Sequence, residues 1–138
     1  MADPFEAYDD LDDIDDRLHA ADAGERRVAI IALANSGDPG AVAHLDRMTA
    51  DPDPGVRQQV GLALGEFDGP AAAAALAKLV IDPEQAVATA AANAMAELKD
   101  PGSADPILPL VNHSHAFVRM AALRALKELR RKDRKSVV

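Results

Sequence analysis

The chain has no cysteine and no tryptophan, one tyrosine and three phenylalanines among its 138 residues. Without cysteine there is no disulfide, no thiolate nucleophile and no zinc–thiolate site. With so few aromatic rings there is no platform on which nucleic-acid bases could stack, and none to line a pocket for a flipped base. No apolar run approaches the roughly 20 residues of a membrane span. The opening MADPFEAYDD is acidic and lacks the apolar core of a signal peptide. A cytoplasmic protein with no membrane association is therefore expected. No run of β-branched and aromatic residues reads as a strand, and no nucleophile elbow, Ser-His-Asp grouping or phosphate-binding glycine motif occurs.

What the chain has instead is small and helix-forming. Apolar residues make up 49% of it, mostly Ala, Leu and Val. Its net charge of −8 is unevenly placed. Residues 1–22 hold nine acids and one base, a balance of −8, whereas residues 23–138 hold fourteen of each. Within that neutral remainder, residues 119–138 carry eight bases and two acids, a balance of +6. The molecule is acidic at its start and basic at its end.

A period of 31 residues runs through the chain without insertion. Proline recurs at Pro39, Pro70 and Pro101, and valine at Val56, Val87 and Val118. Alanine recurs at Ala32, Ala63, Ala94 and Ala125, followed by Leu33, Leu64, Met95 and Leu126. Each unit reads as two helices. In VRQQVGLALGEF the apolar positions Val56, Val60, Ala63, Leu64 and Phe67 fall on one helical face. A turn with Gly or Pro ends that helix, and Pro suits the first turn of the second, where an N–H has no intrahelical partner. Pro109 falls early in the third of these second helices, which is expected to be short or irregular. The pattern predicts an all-α, right-handed α-α solenoid of helical hairpins with about eight helices. Its one domain divides into an acidic capping helix (1–21), repeats at 22–52, 53–83 and 84–113, a terminal helix (114–130) and a basic tail (131–138).

The run DPDPGVRQQVGLALGEFDGP, echoed by HSHAFVRMAALRALKELR, resembles the HEAT-repeat family in the short form found in phycobilisome lyases. The resemblance spans roughly residues 22–130 and implies fold more than function. It also implies a polar ladder made by an Asp closing one unit and an Arg six residues on. Asp51 and Arg57 match that spacing, Ala88 replaces the Arg due after Asp82, and His113 replaces the Asp due before Arg119. Helical-repeat enzymes that oxidise deoxyhypusine resemble this fold but use His-Glu pairs for iron; here no His is followed by Glu. The helical-repeat DNA glycosylases use aromatic residues that this chain lacks.

The acidic stretch LDDIDDRL falls into register once 31 is subtracted from Val42, Leu45 and Thr49, which gives Leu11, Ile14 and Leu18. It reads as the second helix of an incomplete first unit, capped by Asp3, started by Pro4, with Phe5, Tyr8, Leu11, Ile14 and Leu18 inward. Asp9, Asp10, Asp12, Asp13, Asp15 and Asp16 then face water as a solubilising cap, or as a docking face for a basic partner. A calcium loop would need a glycine-bearing turn that this stretch does not have.

No residue set reads as catalytic, and no cofactor or metal ligand set emerges. His113 and His115 form a lone His-x-His, more consistent with a turn than with a metal site. The bases Arg130, Arg131, Lys132, Arg134 and Lys135 suit a solvated helix end or an acidic protein partner; nucleic acid is disfavoured by the overall acidity. Second helices line the concave side of such arrays, so the row Asp16, Arg47, Lys78, beside Asp13 and His44, is a candidate contact surface. The last helix has no second helix to follow it, which leaves Met120 and Leu123 as candidates for an exposed apolar edge. That edge could pair with its own copy. The expected function is a non-catalytic scaffold or adaptor that binds a protein partner. The alternative is an accessory factor, lyase-like or chaperone-like, for a cofactor-bearing protein.

Overall fold

The computed structural model describes residues 11–136. Among these described residues eight α-helices follow one another: α1 (Leu11–Leu18), α2 (Ala23–Ser36), α3 (Ala41–Met48), α4 (Pro54–Leu64), α5 (Pro70–Leu79), α6 (Gln85–Ala96), α7 (Ala104–Ile107) and α8 (Ala116–Ser136). There is no strand among the described residues. The first helices of the units are α2, α4, α6 and α8, each packed on the next; α1, α3 and α5 form the layer of second helices. The expected roles of Asp3, Pro4, Phe5, Tyr8, Asp9 and Asp10, and of the Asp12 side chain, lie outside what the structure describes.

Local chemistry sets the helix starts. The carboxylate of Asp53 accepts from the backbone N–H of Val56 at 2.9 Å, and Pro54 occupies the first turn of α4. Asp22 caps α2 the same way through the N–H of Glu25. Before α5 the chain turns at Gly69 with φ +98°, a conformation that L side chains rarely adopt.

Buried side chains in register form the spine. Leu33, Leu64 and Met95 come from first helices; Ile14, Leu45, Leu76 and Ile107 come from second helices, and all are fully or almost fully enclosed. Each such side chain contributes on the order of 1.5–3 kcal/mol through burial. Alanine lets the layers approach closely. At Gly61 a Cβ would meet the Cβ of Ala90 at 3.3 Å and the backbone N of Ala91 at 3.5 Å, so α4 and α6 touch almost backbone to backbone.

The fourth second helix is broken, in line with the expectation for Pro109. Pro101–Ser103 and Leu108–Asn112 are 3₁₀ turns flanking the four-residue α7. Pro106 and Pro109 each lack the N–H that would continue a helix. Ser103 is in register with the buried alanines Ala41 and Ala72, and its enclosed hydroxyl has no hydrogen-bond partner. At the far end, the expected boundary between helix and basic tail at residue 130 does not exist: α8 continues to Ser136. The physical reason is an anchor. The ammonium of Lys132 donates to the carbonyls of Ala96 and Leu98, both at 3.0 Å, and so caps the C-terminal end of α6.

Candidate functional site

Two ladders of charge tie the layers together. The first runs along the unit ends. Arg26 grips Asp51 (2.9 and 3.2 Å), and Arg57 grips Asp82 (2.7 and 3.3 Å), each in a two-pronged guanidinium–carboxylate pair. The same arginines bind backward to carbonyls: Arg26 to those of Ala20 and Ala21, Arg57 to those of Asp51 and Pro52. The carboxylates also close turns, Asp51 through the N–H of Asp53 and Asp82 through the N–H of Glu84. The expected pairing is therefore corrected. Six residues separate Arg57 from the carbonyl it binds at Asp51, but its carboxylate partner, Asp82, lies 25 residues onward. Asp82 is thus paired, not orphaned.

This spacing explains the third unit. A rung there would join residues 88 and 113, which are Ala88 and His113, so both partners are replaced together. His113 keeps half of the aspartate's role: its Nδ1 accepts from the N–H of His115 at 3.1 Å, closing the same turn. Arg119 keeps the arginine's backward half, donating to the carbonyls of His113 and Ser114 at 2.9 Å each. Among the described residues no carboxylate meets it.

The second ladder crosses the second helices. Asp15 meets Arg47 at 3.5 Å, and Asp46 meets Lys78 at 2.8 Å, both pairs 32 residues apart. Arg47 and Lys78 thus lie in the predicted row, but their acidic partners are Asp15 and Asp46. Asp13 and Asp16 are exposed and join neither rung. A helical side chain leans toward its own N-terminus, so each cation reaches back to a residue one place before its register equivalent. His44 is half-buried and its Nδ1 lies 3.0 Å from Asp15 and 2.8 Å from an Arg47 nitrogen. One ring nitrogen cannot donate to the acid and accept from the guanidinium at once, so which of the two contacts is a hydrogen bond depends on the ring tautomer. The hydrogen bond from His44, joined by the charges of His44, His19 and Arg47, outweighs burial and holds the Asp15 carboxyl below the usual carboxylate range. Asp15, expected with the other front aspartates to face water, is instead paired with His44 and Arg47.

Asp68 was not anticipated. Burial alone would push its carboxyl up. The backbone N–H groups of Lys99, Asp100 and Gly69 outweigh that and hold it low. It braces the turn of the following unit.

The apolar edge is present. Phe117, Met120 and Leu123 are exposed on α8. Phe117 and Met120 border a shallow groove of about 240 Å³ shared with Thr89 and Asn93 of α6. Lys127, Arg130, Arg131, Arg134 and Lys135 line the lower half of the same helix. Among the described residues no three His, Cys, Asp or Glu side chains gather as a metal site, and no helix is long and apolar enough to cross a membrane.

Comparison with known proteins agrees with this geometry. A family model described as HEAT repeats matches residues 12–92 and 79–138. Human deoxyhypusine hydroxylase is similar in structure, with a TM-score of 0.71 and 22% identity over 88% of this chain. This chain spans 44% of the hydroxylase's length. An engineered protein is similar with a TM-score of 0.60 and 20% identity, covering 94% of this chain and 68% of that one. A designed armadillo repeat protein in complex with a (KR)4 peptide gives a TM-score of 0.59 and 19% identity, covering 86% of this chain and 64% of its own. At these identities the structural likeness carries the fold alone. No curated protein sequence matches the chain significantly.

Proposed function

This chain belongs to the HEAT-repeat family, and on that premise we propose that it is a non-catalytic scaffold that holds another protein along its second helices. The observation that carries the reading is the row Asp16, Arg47, Lys78, one charged residue on each of α1, α3 and α5, with Asp13 and His44 beside it. Such a row offers an extended partner evenly spaced contacts. The pairs Asp15–Arg47 and Asp46–Lys78 lie near the surface. Exposed pairs of this kind are worth at most about 1 kcal/mol, so a partner's charges can displace them at little cost. The designed armadillo protein, a repeat protein carrying a charged peptide, is consistent with this use of the fold. The non-catalytic part of the reading is supported by the sequence, in which no histidine is followed by glutamate. A cytoplasmic site of action belongs to the same proposal.

The test is affinity capture with wild-type protein and with the Asp16→Lys, Arg47→Glu, Lys78→Glu triple variant. The expected result is one stoichiometric protein that the wild type retains and the variant loses. Equal retention by both, or no stoichiometric protein at all, would contradict the reading.

A further inference from the structure

The two ends of the stack carry the two halves of one interlayer contact. Between α4 and α6 that contact is Gly61 against Ala90. The rear-facing positions in register with Gly61 are Ile30, Ala92 and Leu123. Ile30, Gly61 and Ala92 are buried, each under a following layer, whereas Leu123 on α8 is 53% exposed. The front-facing positions in register with Ala90 are Val28, Gln59 and Ala121. Ala90 and Ala121 are buried by the layer before them, whereas Val28 on α2 is 51% exposed. Two branched apolar side chains thus stand uncovered at complementary positions on opposite end faces.

Charge selects how these faces meet. Val28 borders a groove that also holds Asp22, Glu25 and Arg17, and the neighbouring helix α1 adds the exposed carboxylates of Asp13 and Asp16 at the same end of the stack. Leu123 lies one turn before Lys127 on α8, and Arg130, Arg131 and Arg134 follow over the next two turns. Front against rear brings opposite charges together; rear against rear brings cation against cation. Arg119, which has no carboxylate among the described residues, also lies at the rear end of the stack, beside Met120. We propose that the front face of one molecule stacks on the rear face of a second copy, with Val28 and Leu123 at the centre of the contact, Asp22 and Glu25 at its rim on one side and the cations of α8 on the other. This places the interaction on the end faces, away from the second-helix row, so it stands or falls independently of partner binding there.

A contact between unlike faces leaves a free face at each end and does not close by itself. The apolar part of the contact rests on one exposed side chain from each face, far less than the packed apolar core of a standard stable interface. The association is therefore weak, concentration-dependent and sensitive to salt. Sedimentation velocity of the full chain at low salt, up to about 1 mM, tests it. The wild type is expected to grow past dimer. Val28→Asp and Leu123→Asp, both at exposed positions that leave the helical circular dichroism unchanged, are each expected to be monomeric. An equimolar mixture of the two is expected to form a dimer and stop there, because only one intact front and one intact rear remain. Raising salt to about 0.5 M is expected to weaken the wild-type association about tenfold. A wild type that stays monomeric, or a mixture that stays monomeric, overturns the proposal. So does association retained by Val28→Asp alone, which would mark a rear-to-rear dimer.

Discussion

The layers built on α2 to α5 and the layer that follows them solve the same packing problem differently. In the front layers each unit end is clamped by a two-pronged arginine–aspartate rung, and the second helices are bridged by Asp15–Arg47 and Asp46–Lys78. In the rear layer both ladders lapse. Ala88 and His113 stand where a rung would be, and Ala77 and Pro109 stand where the next cross-helix pair would be. The second helix there is broken into 3₁₀ turns around α7, with an enclosed hydroxyl left unpaired at Ser103. What holds the rear instead is close alanine stacking against α8 and the Lys132 cap on α6. Charge rungs and small-residue stacking are thus alternative ways to fix the spacing of one repeat. The first is directional and salt-sensitive; the second depends on shape.

The largest expected effect comes from cutting a front rung. Arg57 and Asp82 are both largely buried side chains, so Arg57→Ala strands a carboxylate and is expected to destabilise by about 2–4 kcal/mol in urea unfolding. Arg119→Ala, which breaks only the two carbonyl bonds, is expected to lose about 1 kcal/mol or less. Equal losses would erase the distinction between front and rear. Next comes Gly61→Val, which pushes a side chain into Ala90 and is expected to lose about 1–3 kcal/mol by the same measurement. A smaller effect, of opposite sign, tests whether the missing rung is real. Ala88→Arg with His113→Asp should show a favourable coupling of about 1 kcal/mol in a double-mutant cycle, since Asp at 113 can both close the turn and meet the arginine. Ser103→Ala removes an unsatisfied buried hydroxyl and is expected to be neutral or to stabilise by up to about 1 kcal/mol, read as a higher melting temperature.

The smallest effect is one of pH. Backbone N–H groups hold Asp68 below its unfolded value, so its contribution is complete above the ordinary carboxylate range and is lost as pH falls through the lowered folded value. Asp68→Asn should flatten that part of the acid limb of stability against pH. An unchanged acid limb would remove Asp68 from the account.

Much of this was legible in the residues. The 31-residue period gave the helix pairs, the inward placement of Ile14 and Leu18, and the break at Pro109. The ladders were only half legible. The arginine's nearest sequence neighbour in the pattern, Asp51 before Arg57, supplies a carbonyl, while the carboxylate comes from the far end of the same unit. The register count set Asp16 in the row with Arg47, whereas the acid that meets Arg47 is Asp15, because the lean of helical side chains does not show in such a count. The helical course of residues 131–136 depends on a contact between Lys132 and α6 that no local pattern announces.

Native-state hydrogen exchange, resolved by helix, puts the contrast between front and rear to the most direct test. The amides of residues 101–112 should open at distinctly lower free energy than those of α4 and α5, and the gap should narrow in high salt as the front rungs weaken. Equal protection of the two regions, or earlier opening of α4, would contradict the account.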